Sequence, residues 1–306
     1  MPALSPPDTH PGQTAQQVRP PLPDLLLRPM AADDLGACHR LSLRFKWPHR
    51  LEDWDFLLQM GQGYLLEDTA SDAPLRIVGS VVCTPYGEHH AVIGMLLVQA
   101  ELQRRGLGRR LMQHAASQVS AHSLVVNATA AGMPLYKQLG FVQQDVLHQF
   151  QGASAQPVLV SLPPGERVRP MGKNDVARLL ELDAQASGMD RSKLLLALLE
   201  ISEGVALDRD GEMLGFALVR RFGHGRVIGP VVAPDAERAK GLIAHWINTY
   251  SDSFIRIDVF ESTGLATWLD KLGVTCVDHV TRMCKGTPPV HNPDMQLFSI
   301  VNQALG

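Results

Sequence analysis

The densest chemical signal in the chain is the run Gln103-Arg104-Arg105-Gly106-Leu107-Gly108-Arg109, set directly after the apolar stretch Val92–Val98. An apolar strand feeds a two-glycine loop, and Leu107, Leu111, Met112, Ala115, Ala116 and Val119 follow at helical spacing. That is the layout of a phosphate cradle. Glycine lets backbone N–H groups approach an anion with no Cβ between them, and a helix start adds unpaired donors and a positive dipole end. Arg104, Arg105, Arg109 and Arg110 bring positive charge to the same point, so a pyrophosphate-bearing cofactor suits it. The spacing is neither G-x-G-x-x-G with a downstream acid nor G-x-x-x-x-G-K-[ST], so it is neither a dinucleotide fingerprint nor a P-loop.

The elements that must position this run recur twice. Arg28-Pro29-Met30 with Asp34 and Leu41 returns as Arg169-Pro170-Met171 with Asp175 and Leu182. Ile93–Val98 returns as Ile228–Ala233, and Leu139-Gly140-Phe141 as Leu272-Gly273-Val274, always in the same order. A tandem duplication explains an ordered repeat whose offset drifts by loop insertions and deletions. Each copy alternates strand and helix, which predicts an α/β fold with a mixed central sheet flanked by helices. In the first copy strands are expected near 25–28, 63–67, 77–84, 91–98, 124–127 and 142–150. Helices are expected over 33–43, 51–60, 107–120 and 133–139.

The organisation read from this is a disordered Pro- and Gln-rich tail over 1–24, a first domain over 25–152 and a linker over 153–166 closed by Pro163-Pro164-Gly165. A second domain spans 167–286. In the tail 287–306, an apolar stripe of Leu297, Ile300, Val301 and Leu305 suggests a docking helix.

With 306 residues, 45% hydrophobic, the chain can bury two cores, and a net charge of −3 gives no bulk attraction to nucleic acid or an anionic membrane. No apolar run approaches the roughly 20 residues of a membrane-spanning helix, and no secretory signal is expected in the Pro- and Gln-rich first two dozen residues. Cys38, Cys83, Cys276 and Cys284 lack C-x-x-C spacing and read as buried free thiols of a reducing cytoplasm. The twelve histidines show no zinc spacing, so no metal is expected.

Gln103-x-x-Gly106-x-Gly108 resembles the [QR]-x-x-G-x-[GA] acyl-CoA signature of the GNAT family of N-acetyltransferases. Val92–Arg110 looks like the family's motif A. The ordered stretch Asn127-Ala-Thr-Ala-Ala-Gly-Met-Pro-Leu-Tyr136-Lys-Gln-Leu-Gly-Phe141 looks like its motif B. Residues 25–285 resemble two GNAT folds in tandem, and Trp47–Trp54 is similar to a segment of that tandem subfamily. The resemblance implies acetyl-CoA as cosubstrate, with Leu96, Leu97 and Val98 pairing the pantetheine arm where two strands splay. It implies that Gln103, Arg104, Arg105, Gly106, Leu107, Gly108 and Arg109 hold the pyrophosphate and that Asn127 fixes the pantetheine. Tyr136 is then the general acid toward the departing thiolate, its ordinary pKa near 10 roughly matching a thiol.

Each assignment has a plainer counterpart. Tyr136 can be a packing residue, Asn127 can satisfy local backbone, and the arginines can form a solvated helix face. Trp47 and Trp54 can be core or cleft wall rather than substrate contacts. Asp190, in a loop placed to meet an acceptor, can be a helix N-cap. Glu88, His89, His90 and Glu67 are the candidate bases.

In the second copy, Arg238, Gly241 and Ile243 align with Gln103, Gly106 and Gly108. Pro230 enters the cofactor-pairing strand, and Thr267-Trp268 stands near the Tyr136 position. This copy is expected to be degenerate and to wall the acceptor cleft of the first. The expected function is direct acetyl transfer to a small-molecule amine in a ternary complex, by a cytoplasmic monomer or homodimer without nucleic-acid or membrane partners. The alternative is a non-catalytic acyl-CoA sensor on the same fold.

Overall fold

The computed structural model describes residues 22–70, 76–153 and 155–306. The expected N-terminal tail falls almost wholly on residues 1–21, outside the described residues. The first half runs β1 (Leu25–Pro29), α1 (Leu35–Arg44), α2 (Leu51–Met60), β2 (Gln62–Asp68), β3 (Ile77–Tyr86), β4 (His90–Val98), α3 (Leu107–Ser117), β5 (Ser123–Ala128), α4 (Met133–Gln138) and β6 (Val142–Gly152). The second half opens with β7 (Glu166–Pro170), α5 (Val176–Ser187), α6 (Ser192–Leu199), β8 (Ser202–Arg209), β9 (Glu212–Phe222) and β10 (Gly225–Ala233). It continues with α7 (Ala236–Thr249), β11 (Ile255–Phe260), α8 (Ala266–Lys271), β12 (Thr275–Lys285) and β13 (Gln296–Ser299).

All the described strands form one sheet in the order β1-β2-β3-β4-β5-β12-β6-β11-β13-β10-β9-β8-β7. The continuous apolar run of β3 is buried along nearly its whole length because helices cover both faces. On one face α1, α2, α5 and α6 share a single core that includes Leu41, Trp54, Leu57, Leu182 and Leu195. On the other face α3 and α7 each cover their own half. The fold is mixed α/β, as the alternation of elements predicts.

The repeated Arg-Pro-Met has a physical cause in each copy. Arg28 binds Asp34 at 2.7 Å and Glu67 at 2.6 Å; Arg169 binds Asp175 at 2.8 Å and Asp208 at 2.9 Å. The Met30 and Met171 amides donate to the carbonyls of Gly63 and Gly204, and a Cβ on either glycine would collide with the methionine sulfur. The motif thus ties the first strand of each copy to the second and to the start of its first helix.

Two features lie beyond the sequence reading. The copies exchange their last strands: β6 pairs with β11 of the second half, while β12 pairs with β5 of the first. The C-terminal segment is not a docking helix. Gln296–Ser299 form strand β13, inserted between β10 and β11. Leu297, Phe298, Ile300, Val301 and Leu305 are all buried, but at strand and turn spacing rather than along a helical stripe. Cys276 also departs from expectation: it is exposed, whereas Cys38, Cys83 and Cys284 are buried free thiols.

Candidate active site

Strands β4 and β5 pair in parallel only over His90–Val92 with Ser123–Val125, and then diverge. The divergence begins at a bulge: Met95 adopts φ +52°, its carbonyl accepts from Ser80 Oγ at 2.9 Å, and the β3–β4 register shifts there. The bulge is therefore at Met95. Gly94 is needed for close approach, because a Cβ there would lie 2.8 Å from Ala304.

The wedge between the strands opens into a cleft of about 880 Å³ that runs past α3 and α4. Leu96, Leu97, Val98 and Asn127 line its middle, and Gln103, Arg104, Gly106, Leu107, Gly108 and Arg109 line one end. Arg104 at φ +58° and Gly106 at φ +84° curl the loop into the start of α3. A Cβ on Gly106 would meet nothing, so the left-handed backbone is what calls for glycine there. The first turn of α3 has no side-chain cap, and the first helical bond runs from Arg110 N–H to the Gly106 carbonyl. The N–H groups of residues 107–109 therefore lack intrahelical acceptors. A Cβ on Gly108 would press Leu135 of α4 at 3.2 Å.

Side chains settle the finer placement. Gln103 Nε2 donates to the Val98 carbonyl at 3.0 Å, fastening the loop to the end of β4. Arg109 donates to Gln138 at 2.7 Å. Arg105 and Arg110 do not line the cleft: Arg105 Nη1 is buried without a partner among the described residues, and Arg110 donates to the Leu25 carbonyl at 3.5 Å. Asn127 donates to the Gln303 carbonyl at 2.8 Å, while its Oδ1 is buried and unpartnered. A wedge of unpaired strand edge, an unpartnered buried acceptor and a glycine-started helix fit a pantetheine arm ending in a pyrophosphate.

Tyr136 lines the same cleft and is only 7% exposed, its ring edge-on to Phe141. Burial pushes its phenol well above the ordinary value near 10. The expected match to a thiol is therefore corrected: the proton is held more tightly than in free tyrosine.

Other expected contacts lie elsewhere. Trp47 lines the cleft, but Trp54 is fully buried in the shared core and donates to Ser42 Oγ at 3.2 Å. Glu88 is exposed at the β3–β4 turn, outside the cleft. His89 stacks on His122, and Glu67 is paired with Arg28. Asp190 binds the Ser192 amide and hydroxyl at the start of α6, the plainer of its two readings, and packs against Gly87 rather than the cleft. The reason is pseudo-symmetry. The loop after α1 crosses onto the β9–β10 turn, where Pro48 meets Gly223, and the loop after α5 crosses onto the β3–β4 turn. Asp190 thus belongs to the mirror position.

The cleft's other end is built by residues that linear order conceals: Phe222 from β9, Arg256 from β11, Gln149 from β6, Asp278 from β12, and Gln303 and Ala304 beyond β13. Strand exchange brings Gln149 and Asp278 there, and no local pattern announces it. Asp278 is the acidic residue among the described residues of the lining.

In the second copy, β10 and β11 pair over Arg226–Ile228 with Ile255–Ile257 and part in the same way, at a bulge over Gly229-Pro230. Here β13 lies in the wedge, pairing Val231, Val232 and Ala233 with Ser299, Leu297 and Gln296. These are the counterparts of Leu96, Leu97 and Val98. The expected frame is also corrected: β10 passes into α7 through residues 234 and 235 alone, so Arg238, Gly241 and Ile243 lie inside a helix. Asp235 caps that helix, accepting from Arg238 N–H at 2.9 Å. The bond from Val274 N–H to the Leu269 carbonyl matches that from Phe141 N–H to the Tyr136 carbonyl, which puts Leu269 in the tyrosine's place.

Known proteins share this architecture. Residues 69–162 and 179–299 each match a family model described as an acetyltransferase (GNAT) domain. The chain is a tandem GNAT protein. It is 27% identical over 273 residues to an uncharacterized N-acetyltransferase, YitH, of Bacillus subtilis, covering 87% of this chain and 93% of that one. A putative acetyltransferase from Pyrococcus horikoshii superposes with a TM-score of 0.75 at 21% identity, covering 96% of this tandem GNAT and all of that chain. A tandem GNAT protein from the clavulanic acid biosynthesis pathway gives 0.61 at 15% identity, covering 87% and 100%. Among the described residues no cluster of His, Cys, Asp or Glu is placed to hold a metal, and no helix is long and apolar enough to cross a membrane.

Proposed function

We propose that the first half binds acetyl-CoA and passes its acetyl group directly to a small amine in a ternary complex. The observation that carries this reading is the continuity of one cleft from the glycine cradle, along the unpaired edge of β4, to Tyr136. Bound there, acetyl-CoA supplies an activated thioester whose carbonyl is open to a neutral amine.

The chain's own residues supply position and polarity. Backbone groups of Leu96–Val98 hold the extended arm as a strand would, and Asn127 Oδ1 receives a donor from it. The N–H groups that start α3, with Arg104 and Arg109, hold the pyrophosphate. Most of the rate gain comes from holding amine and carbonyl in line. Burial keeps Tyr136 protonated in the resting site, so its phenol gives a proton to the sulfur as the C–S bond breaks, and the proton released from the acetylated nitrogen restores it. The second half takes no cofactor; it closes the acceptor end with Phe222, Arg256 and Asp278, and this enclosure favours small acceptors over protein side chains. No cysteine lines the described cleft, consistent with transfer without an acyl-enzyme.

Incubation of the protein with acetyl-CoA and a panel of small amines, read as release of free CoA, tests the reading. Amine-dependent release that Tyr136→Phe lowers in kcat supports it. Tight acetyl-CoA binding with no release across a broad panel overturns it in favour of a sensor.

A further inference from the structure

The cleft end remote from the cradle carries a constellation that the cofactor does not explain. His49 stands edge-on to Phe222 with 5.3 Å between ring centroids, and Trp47 lies 5.8 Å from His49. Phe222 is flanked by two guanidinium groups, those of Arg220 at 5.1 Å and Arg256 at 5.3 Å. Arg256 donates Nε and Nη2 to Asp258 at 3.0 and 2.6 Å, and its third nitrogen has no hydrogen-bond partner among the described residues. The Nδ1 of His49 is buried and unpartnered as well. Burial first, and then the charge of Arg256, lower the His49 pKa to about 3 against an opposing pull from Asp53, so the imidazole is neutral.

We propose that this end binds a carboxylate carried by the acceptor itself, making the substrate an amino acid with an apolar or aromatic side chain. The proposal rests on the transferase reading above and narrows its acceptor. A carboxylate satisfies the remaining Arg256 N–H and a His49 donor with charge-assisted bonds. Trp47 and Phe222 offer flat apolar walls to a side chain. Asp278, exposed in the lining, pairs with the substrate's ammonium group, which gives its proton to water before the amine attacks. A polyamine would need several carboxylates at this end, and the described lining supplies Asp278 beside the cations Lys46 and Arg256.

Matched substrates test this on the unaltered protein. The kcat/KM for phenylalanine should exceed that for phenethylamine and for phenylalanine methyl ester by at least about tenfold, the scale of a hydrogen bond to a charged group. Equal or better turnover of phenethylamine, the ester or spermidine overturns the proposal. His49→Phe keeps the ring and removes the nitrogens; it should raise KM for phenylalanine about tenfold and leave the affinity for CoA within about twofold. An unchanged KM overturns the proposal too. Binding of N-acetylphenylalanine against N-acetylphenethylamine, with CoA present, reads the carboxylate site even where no turnover occurs. Preference for the acid supports the proposal, and equal affinity contradicts it whatever becomes of the transferase reading.

Discussion

The two wedges of the sheet, β4/β5 and β10/β11, share a fold, a short parallel pairing and a bulge at the point of parting, yet only one is filled by the chain itself. In the second copy β13 pairs with Val231–Ala233, and a two-residue turn capped by Asp235 replaces the glycine loop. In the first copy the corresponding backbone of Leu96–Val98 faces the cleft, and the helix start is uncapped. The comparison teaches that a parted pair of strands is a liability of unpaired edges that some partner must meet. The second copy meets it with a tail strand and becomes structural. The first keeps its edge for a ligand.

The tail also joins the two copies. After β13 it runs through Asn302, whose side chain accepts from the amides of Ala304 and Leu305, to Gln303 and Ala304 at the wall of the first cleft. Tyr86 donates to the Leu305 carbonyl, and Arg191, buried against Asp183 at 2.6 Å, donates to the Gly306 carbonyl oxygen. The segment that closes one wedge therefore shapes the acceptor end of the other.

The sharpest way to break this contrast is to weaken the plug. Phe298 is fully buried in the second half's core, so Phe298→Ala should cost about 3–5 kcal/mol in denaturant unfolding. A loss below about 1 kcal/mol would mean that β13 is dispensable and the second wedge opens freely. Next in size is the chemical asymmetry between Tyr136 and Leu269. Tyr136→Phe should lower kcat about 100-fold and change CoA affinity less than about threefold, as loss of a proton donor does. Retained kcat would make Tyr136 as structural as its counterpart.

Acid stability probes the acceptor end, where the first copy contributes the half-buried imidazole of His49. The folded pKa of His49 lies near 3, below the unfolded value near 6.5, so between those values the unfolded chain binds the extra proton. Stability is then complete above pH 6.5 and declines as pH falls toward 3, by at most about 1.4 kcal/mol per unit from this group. Urea unfolding across that range should show a shallower decline for His49→Phe; identical slopes would contradict the assignment. The smallest effect is a symmetric one. Arg28→Ala and Arg169→Ala, removing largely buried pairs of matching geometry at the sheet margin, should each cost about 1 kcal/mol. Strongly unequal costs would show that the repeat motif does different jobs in its two places.

Much of this was legible in the residue order. The alternation of elements, the repeat anchored on Arg28 and Arg169, and the glycine cradle all depend on contacts between neighbours in sequence or on local backbone geometry. The strand exchange was not, because β6 and β12 carry the same pattern whichever half they join. The tail strand misled because Leu297, Ile300, Val301 and Leu305 satisfy a helical spacing that a short strand followed by a turn satisfies equally. Sequence position alone does not tell Asp190 and Glu88 from cleft residues, and pseudo-symmetry brings both to the opposite crossing, where Asp190 packs against Gly87. Phe222, Arg256 and Asp278 had no local signal, since each gains its role only from a long-range pairing.

Titration calorimetry of CoA into the intact chain tests the central asymmetry most directly. The account predicts one binding site per chain and its loss in Gly108→Ile, where a branched side chain is driven into Leu135 at the cradle. Two equivalent sites, or unaltered binding by that variant, would contradict it.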